Sequence, residues 1–230
     1  MLQIGSYDEF RLLLEGLAAD VVEARIHVKL YADLNDAIPE FERELSQAPA
    51  FWSLTISAHG FAALGRLIRV YDPEPKAVSL VNVIDTILES PALSQLRAAL
   101  ALPRTRDAGS PPVADLHAER FHASDKDPLV RKLVAYRGNI LAHRNAKNVI
   151  SKGDLEQRFG MSHLDVQELL ERAHALLNTY GQNHFGTTWS PQIVGHDDFV
   201  TVLKSVRTSI VADEQGISDE MEALLRKKAT

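Results

Sequence analysis

The side chains in this sequence best suited to phosphate chemistry are an arginine and a histidine six positions apart, Arg137 and His143. A guanidinium keeps its charge and binds a phosphate through two parallel hydrogen bonds, and a histidine can move a proton near neutral pH. Residues 128–147 around them contain five basic residues and no acidic one, whereas the whole chain has a formal net charge of -6. The segment therefore predicts an anionic partner, either elsewhere in the fold or outside it.

The segment is typical of a helix that begins at Pro128. Asp127 is a good N-cap, and proline is favoured at the first helical position because its missing N–H is not needed there. At about 100° per residue, Arg137 falls in the middle of the apolar face, which predicts a buried guanidinium. The apolar residues of that face are Val130, Leu133, Val134, Ile140 and Leu141.

His143 lies about 120° around an ideal helix from Arg137, so the two side chains do not share a face. They can act together if the helix ends or bends near His143, with Gly138 as a weak point, or if a second copy of the helix completes the site. A charged guanidinium on a buried face must be paired. Two interpretations of Arg137 stay open: an internal ion pair with a carboxylate of a neighbouring helix, or a phosphate site shared with His143.

Length and composition predict one substantial core, or one core with an appendage, because the chain has 230 residues and 45% of them are hydrophobic. There is no cysteine, which excludes disulfides, cysteine metal sites and a cysteine nucleophile. The first ten residues lack the basic and apolar regions of a signal peptide, so we expect a cytoplasmic protein. Residues 45–65 carry no charge, but their polar and small side chains favour the first half of a helix buried on most sides in a soluble bundle over a membrane span.

Apolar spacing and capping signals predict an all-α protein without strands or internal repeats. Two helix starts are marked by capping pairs, Ser6 with Glu9 and Ser162 with Asp165. Residues 103–115 contain three prolines and are predicted to form a loop. The predicted helices are residues 6–31, 49–71, 79–88, 91–102, 128–147, 151–159, 162–180, 196–211 and 218–228, and residues 35–45 are predicted to form a short acidic helix or turn.

Other motifs give weaker signals. His117 and His122 flank Glu119, but the nine histidines include no HExxH motif, and no metal or other cofactor is predicted. Residues 154–170 have the rhythm of a helix–turn–helix motif, but the second helix carries acidic residues that would repel DNA phosphates. The arginine–histidine pair therefore remains the best candidate site.

Residues 137–143, with the sequence RGNILAH, resemble the R-x(4–6)-H signature of the HEPN superfamily. Three earlier stretches are similar to the abortive-infection branch of that superfamily, the AbiU type: FW at 51–52, LIRVYD at 67–72 and SL at 79–80. The resemblance covers roughly residues 5–185.

The resemblance implies an up-and-down bundle of four to five core helices with extra C-terminal helices. Residues 1–185 would form the bundle, and residues 186–230 a helical extension packed on it. It further implies a homodimer formed through helix 128–147 and, in many relatives, a metal-independent endoribonuclease of a toxin–antitoxin or antiphage system. Active relatives usually have a polar residue directly after the arginine, whereas here Gly138 takes that position and Asn139 follows it.

Two functions follow from the residues and the resemblance together. In the first, the protein cleaves RNA, with Arg137 and His143 as catalytic residues and Asn139, Arg144 and Tyr136 as substrate-binding residues. In the second, it is a noncatalytic HEPN-like module that binds a nucleotide or a protein. The expected partners are RNA or a nucleotide, a second copy of the chain and an antitoxin, with no membrane.

Overall fold

The computed structural model describes residues 2–93, 115–141, 160–190 and 192–228. Within these ranges a short 3₁₀ turn, Pro91–Leu93, follows the fourth helix, and a wider turn, Arg137–Leu141, follows the sixth. The α-helices are α1 (Tyr7–Ala37), α2 (Glu42–Leu45), α3 (Pro49–Val70), α4 (Leu80–Glu89), α5 (Leu116–Ala123), α6 (Pro128–Tyr136), α7 (His163–Phe185) and α8 (Asp198–Lys228). The prediction of an all-α protein is confirmed.

Side-chain caps begin two helices where the sequence predicts them. The Ser162 hydroxyl accepts a hydrogen bond from the Asp165 amide at 3.1 Å, and the Asp165 carboxylate accepts one from the Ser162 amide at 2.8 Å. The Ser6 hydroxyl accepts a hydrogen bond from the Glu9 amide at 3.2 Å. Each cap satisfies an amide that has no partner within its helix, which stabilises the helix start by about 1 kcal/mol.

The first of two compact units consists of Met1–Arg25 and Ala62–Gln192. Tyr71, at the end of α3, is buried and donates a hydrogen bond to the Leu169 carbonyl at 2.8 Å, which ties α3 to α7. Helix α6, which precedes Arg137, is tied to α7 by an ion pair at 2.6 Å between Lys132 Nζ and Asp165 Oδ2. The apolar side chains that α1, α3, α4, α6 and α7 bury in the unit include Phe10, Leu14, Leu17, Leu67, Ile84, Ile87, Leu133 and Leu169.

The second unit consists of Ile26–Phe61 and Ile193–Thr230. Arg207 of α8 lies over the Phe41 ring, 4.6 Å from its centroid, and pairs with the buried carboxylate of Glu44. These contacts anchor the first third of α8 in the unit. The buried apolar cluster beside them consists of Phe41, Leu45 and Leu203.

The C-terminal helix differs from the prediction. The sequence predicts two short helices, 196–211 and 218–228, but Asp198–Lys228 forms one helix of 31 residues. Gly216 is tolerated in its middle because one helical glycine costs only about 1 kcal/mol, whereas ending and restarting a helix requires a second nucleation. The prediction of two helices is wrong for this reason.

Helix α3 is less buried in its first half than predicted. Phe51, Leu54 and Phe61 are 61%, 70% and 56% exposed, so the expectation of a first half buried on most sides is wrong. Burial concentrates instead near the end of α3, at Ala63, Leu67 and Val70. Among the helices of the described residues, none is long and apolar enough to cross a membrane.

Several predictions fall outside the described ranges. They concern the end of helix 91–102, the loop through residue 114, the rest of helix 128–147 after residue 141 and helix 151–159. The division into a bundle of residues 1–185 and an extension of residues 186–230 stays a prediction.

A tight contact at Gly181 in α7 leads to a stability prediction. A Cβ atom there would lie 2.5 Å from the Trp189 ring and 2.6 Å from the Thr187 carbonyl oxygen. We expect Gly181→Ala to lower the free energy of unfolding by about 1–3 kcal/mol, because neither neighbour is a flexible chain end. Thermal unfolding followed by circular dichroism measures the change. The matched control is Gly65→Ala, where a Cβ meets nothing within 4 Å; an equal loss in both variants would contradict the contact.

Candidate functional site

Asp127 anchors the first turn of α6, as the sequence predicts. One carboxylate oxygen accepts hydrogen bonds from the Leu129 and Val130 amides, at 2.8 and 3.3 Å. The other oxygen lies 2.9 Å from Nδ1 of His122 in α5 and 3.1 Å from Nη1 of Arg172 in α7. The carboxylate therefore caps α6 and ties it to both neighbouring helices.

The surroundings of Asp127 favour its charged form. Burial alone would raise the pKa of this carboxyl group. The hydrogen bonds with His122 and the two backbone amides, together with the charge of Arg172, outweigh burial and hold the pKa below its usual value. The anchor of α6 is thus a charged group whose contribution to stability depends on pH.

The backbone changes form at Arg137. Residues Arg137–Leu141 form a π-helical turn, in which hydrogen bonds link residues five apart rather than four. The angles calculated for an ideal α-helix therefore do not hold beyond Arg137. The Asn139 side-chain amide donates a hydrogen bond to the Ala135 carbonyl at 2.8 Å, which supports the widened backbone. Turns of this kind are frequent at functional sites.

Arg137 lies at the end of α6 and not in the middle of a buried face. The side chains that α6 buries are Val130, Leu133 and Tyr136, whereas the Arg137 side chain is 43% exposed. The prediction of a buried guanidinium is wrong, because the α-helix ends at Tyr136 and the long side chain carries its charge toward solvent. Its Nη1 atom lies 3.0 Å from Oδ2 of Asp72, two residues beyond α3.

The ion pair with Asp72 bears on both interpretations of Arg137. It is the internal pairing with a carboxylate that the sequence left open, although Asp72 follows α3 and does not lie within a helix. Only the Nη1 atom of the guanidinium takes part in the ion pair with Asp72. An ion pair with this exposure contributes at most about 1 kcal/mol, so a phosphate can displace the carboxylate at little cost. The pairing is therefore compatible with a phosphate site.

Asp72 also lines a cleft of about 410 Å³, together with Asp20, Arg69, Ala77 and Val78. Asp20 pairs with Arg69 across the cleft lining and with Arg66 at 2.8 Å. Acidic and basic side chains thus alternate beside the Asp72–Arg137 pair. Each arginine is oriented by a carboxylate, and neither sign of charge is in large excess.

Sequence reasoning did not place Asp20, Arg69 and Asp72 at the site. Arg69 and Asp72 entered only as part of the family resemblance. The sequence did contain one signal for a charged site. The uncharged stretch 45–65 is followed directly by Arg66, and Arg69 comes about one helical turn later. Asp20 lies 49 positions from Arg69, so no local pattern identifies their contact.

The other predicted site residues lie in different surroundings. Tyr136 is 4% exposed, which disfavours the predicted contact with a base, and that role stays a prediction. The Asn139 amide contributes to the π-helical turn. His143 and Arg144 lie outside the described residues, so the predicted pairing of Arg137 with His143 stays a prediction as well.

Two of the three residues that gave the weak signal for a metal site, Glu119 and His122, make other contacts in the structure. His122 faces Asp127, and the carboxylate of Glu119 accepts a hydrogen bond from the buried Tyr180 hydroxyl. Burial raises the pKa of the Glu119 carboxyl group despite this hydrogen bond. In the part of the chain that is described, no group of three or more His, Asp or Glu side chains is arranged to hold a metal ion.

The comparisons with known proteins agree with the resemblance. A family model described as AbiU2, of the HEPN type, matches residues 7–202. The comparisons with curated proteins and with solved structures give no match. The matched residues include most of the chain, from α1 through α7 and the first turn of α8, together with Arg137 and His143. The chain therefore belongs to the AbiU2 family of HEPN proteins.

Proposed function

We propose that this protein is an endoribonuclease of a toxin–antitoxin or antiphage system that cleaves RNA without a metal and acts as a homodimer. Its family and the surroundings of Arg137 support this. The main support for the proposal is the position of Arg137. Its half-exposed side chain lies at the start of a π-helical turn and pairs with Asp72, whose carboxylate lines a cleft. Such a cation is already oriented and can exchange its carboxylate partner for a phosphate at little cost.

The residue types fit cleavage through the 2′-hydroxyl of RNA. Arg137 binds the phosphate and stabilises the extra negative charge of the pentacovalent transition state. His143 takes the proton from the 2′-hydroxyl or gives a proton to the departing 5′-oxygen, because a histidine titrates near neutral pH. The products are a 2′,3′-cyclic phosphate and a 5′-hydroxyl end. Asn139 and Arg144 position the RNA.

A second subunit completes the site in this proposal. Helix 128–147 pairs with its copy about a twofold axis, so that Arg137 of one subunit and His143 of the other face the same phosphate. The π-helical turn offers the other arrangement, a bend that brings both residues together within one subunit. A heterodimer with a different variant in each subunit separates the two arrangements.

A noncatalytic module that binds a nucleotide or a protein is the alternative function. The observation that favours it is Gly138, which follows Arg137 directly, where active relatives usually have a polar residue. Such a module binds RNA or a nucleotide and leaves it intact.

Cleavage assays with purified wild type, Arg137→Ala and His143→Ala test the proposal, with a chelator present. We expect wild type to produce RNA fragments with cyclic phosphate ends and both variants to lose this activity. Binding without cleavage by wild type would support the alternative, and equal cleavage by all three proteins would remove both residues from the mechanism. Expression of the same proteins in cells should inhibit growth only for wild type, and co-expression of an antitoxin should relieve it.

Removing the carboxylate partner of Arg137 should increase the affinity for RNA. In Asp72→Asn the phosphate no longer competes with a charged carboxylate for the guanidinium. We expect the dissociation constant for RNA to fall about two- to fivefold, the range that an exposed ion pair allows. Titration of labelled RNA measures it, with His143→Ala added to prevent cleavage.

Asp85→Asn is the matched control for this prediction. It makes the same change in net charge, but the carboxylate that it removes pairs with Arg120 and does not line the cleft. An equal gain in both variants would mean that net charge alone determines the affinity. Unchanged binding by Asp72→Asn would contradict the competition between Asp72 and phosphate.

A further inference from the structure

Arg69 of α3 is held in much the same way as Arg137. Nη2 of its guanidinium pairs with Oδ1 of Asp20, whereas Arg137 pairs through Nη1 with Asp72. The Arg69 side chain is 54% exposed and lines the cleft of about 410 Å³ that Asp72 also lines. An ion pair with this exposure is weak, so a negatively charged ligand in the cleft can displace Asp20 from Arg69.

Arg69 and Arg137 lie close enough together to bind one ligand. Arg69 and Asp72 are three positions apart at the end of α3, and the Asp72 amide donates a hydrogen bond to the Arg69 carbonyl at 3.3 Å. Side chains at this spacing are neighbours, with about 5–6 Å between their Cβ atoms. Nη1 of Arg137 in turn lies 3.0 Å from Oδ2 of Asp72. A short ligand with two negatively charged groups can therefore reach both guanidinium groups.

Asp20 keeps a cationic partner when Arg69 turns toward a ligand. Its Oδ1 atom also accepts a hydrogen bond from Nη1 of Arg66 at 2.8 Å. The Arg66 side chain is only 34% exposed and pairs with Glu23 as well, so it stays in place. The carboxylate of Asp20, 19% exposed, is thus never left without a counter-charge, and the change of partner at Arg69 costs little.

The loop after α3 gives the cleft a fixed apolar wall, formed by Ala77 and Val78. The side-chain amide of Asn82 in α4 donates hydrogen bonds to the Glu74 and Ala77 carbonyls, at 2.7 and 2.9 Å. Asn82 is 4% exposed, so these bonds hold the loop from its buried side. A cleft that combines an apolar wall with a few polar groups suits a ligand with a ring better than a bare ion. One nucleotide meets both requirements, since its phosphate is charged and its sugar is a ring.

We propose that this cleft binds the nucleotide next to the cleaved position of the RNA and that Arg69 binds its phosphate. The proposal rests on the RNA cleavage proposed for Arg137. The guanidinium of Arg69 forms two hydrogen bonds to the neighbouring phosphate, and the sugar packs against Ala77 and Val78. Two successive phosphates held by two fixed arginines set the position of the RNA along the site. Arg69 is therefore a substrate-binding residue that does not touch the reacting atoms.

Steady-state cleavage of a short RNA with one mapped cleavage position tests the role of Arg69. Arg69→Ala should raise KM about tenfold and change kcat much less, because the lost contact is the same in the bound substrate and in the transition state. The size reflects two charged hydrogen bonds, offset in part by the ion pair that Arg69 gives up.

Arg11→Ala is the matched control for Arg69→Ala. Arg11 is 53% exposed and pairs with Glu15 at 2.8 Å, but it does not line the cleft. The control removes the same charge from an equally exposed ion pair, so its KM should stay within about twofold of that of wild type. An equal rise of KM in both variants would overturn the proposal, because net charge would then explain the effect.

A neutral phosphate analogue identifies the group that Arg69 binds. A methylphosphonate replaces the phosphate on the 5′ side or on the 3′ side of the cleaved position, and every substrate carries the same 2′-O-methyl sugars beside these two linkages. With wild type, KM should rise about tenfold for one of the two substrates. With Arg69→Ala, the same substrate should change KM by less than about twofold, because the contact is already missing.

The outcomes separate this proposal from the proposed function. Cleavage by wild type with an unchanged KM for Arg69→Ala would overturn the role of Arg69 and leave the cleavage at Arg137 standing. Effects of the variant and of each analogue that simply multiply would show that Arg69 contacts neither neighbouring phosphate. An RNA left intact by wild type would overturn both proposals.

Discussion

Replacing Arg137 with alanine should reduce the rate of RNA cleavage by about 10²–10³-fold, the loss expected when one donor that stabilises transition-state charge is removed. The variant should fold normally, because the guanidinium is half-exposed and its ion pair with Asp72 contributes at most about 1 kcal/mol. Arg137→Lys should recover only part of the activity, since an ammonium cannot form two parallel hydrogen bonds to a phosphate. Initial rates of cleavage of a labelled RNA measure both variants.

Arg131→Ala is the matched control for Arg137→Ala. It removes the same charge from the same helix, but the Arg131 guanidinium donates hydrogen bonds to the Asp125 and Lys126 carbonyls, both at 3.1 Å. We expect its cleavage rate to stay within about threefold of wild type, as for an exposed charge outside the site. A similar loss in both variants would mean that Arg137 acts only through the general positive charge of the segment.

Replacing Asp127 with alanine should lower the free energy of unfolding by about 2 kcal/mol. The variant loses the N-cap of α6, worth about 1 kcal/mol, and the contacts with Arg172 and His122, which together contribute about as much. For a chain of this size the melting temperature should fall by about 4–8 °C. Calorimetry measures the change, and Asp125→Ala, which removes an exposed neighbouring carboxylate, should leave the melting temperature unchanged.

The pH dependence of stability separates the charge of Asp127 from its role as a cap. Asp127→Asn keeps an oxygen for the backbone amides but has no charge for Arg172 and His122. Because the folded protein lowers the pKa of Asp127, its charge stabilises the protein above the unfolded value of 3.8, and this contribution is lost as the pH falls through the folded pKa. Wild type and Asp127→Asn should differ by about 1 kcal/mol near pH 7 and converge below about pH 4. A difference that does not change with pH would contradict the role of the charge.

Local chemistry made the start of α6 predictable. Asp127 and Pro128 are adjacent residues whose effects depend only on the first turn of a helix, and the structure confirms both. The π-helical turn at Arg137 was not predicted. It depends on a small difference between two hydrogen-bonding patterns, and only Gly138 indicated a weak point.

The partner of Arg137 could not be predicted for a different reason. Asp72 lies 65 positions earlier in the chain, so only the packing of α3 against the rest of the first unit brings the two side chains together. The exposure of Phe51, Leu54 and Phe61 in α3 could not be predicted for the same reason. Their apolar side chains favour burial, but whether another helix covers them depends on contacts between distant parts of the chain.

Heterodimers with Arg137→Ala in one subunit and His143→Ala in the other test the composite site most directly. Co-expression of the two variants with different affinity tags allows the heterodimer to be purified. If each site takes its arginine from one subunit and its histidine from the other, one of the two sites is intact, and we expect about half of the wild-type cleavage rate. If both residues of a site come from the same subunit, neither site is intact, and a heterodimer as inactive as either variant alone would contradict a site shared between subunits.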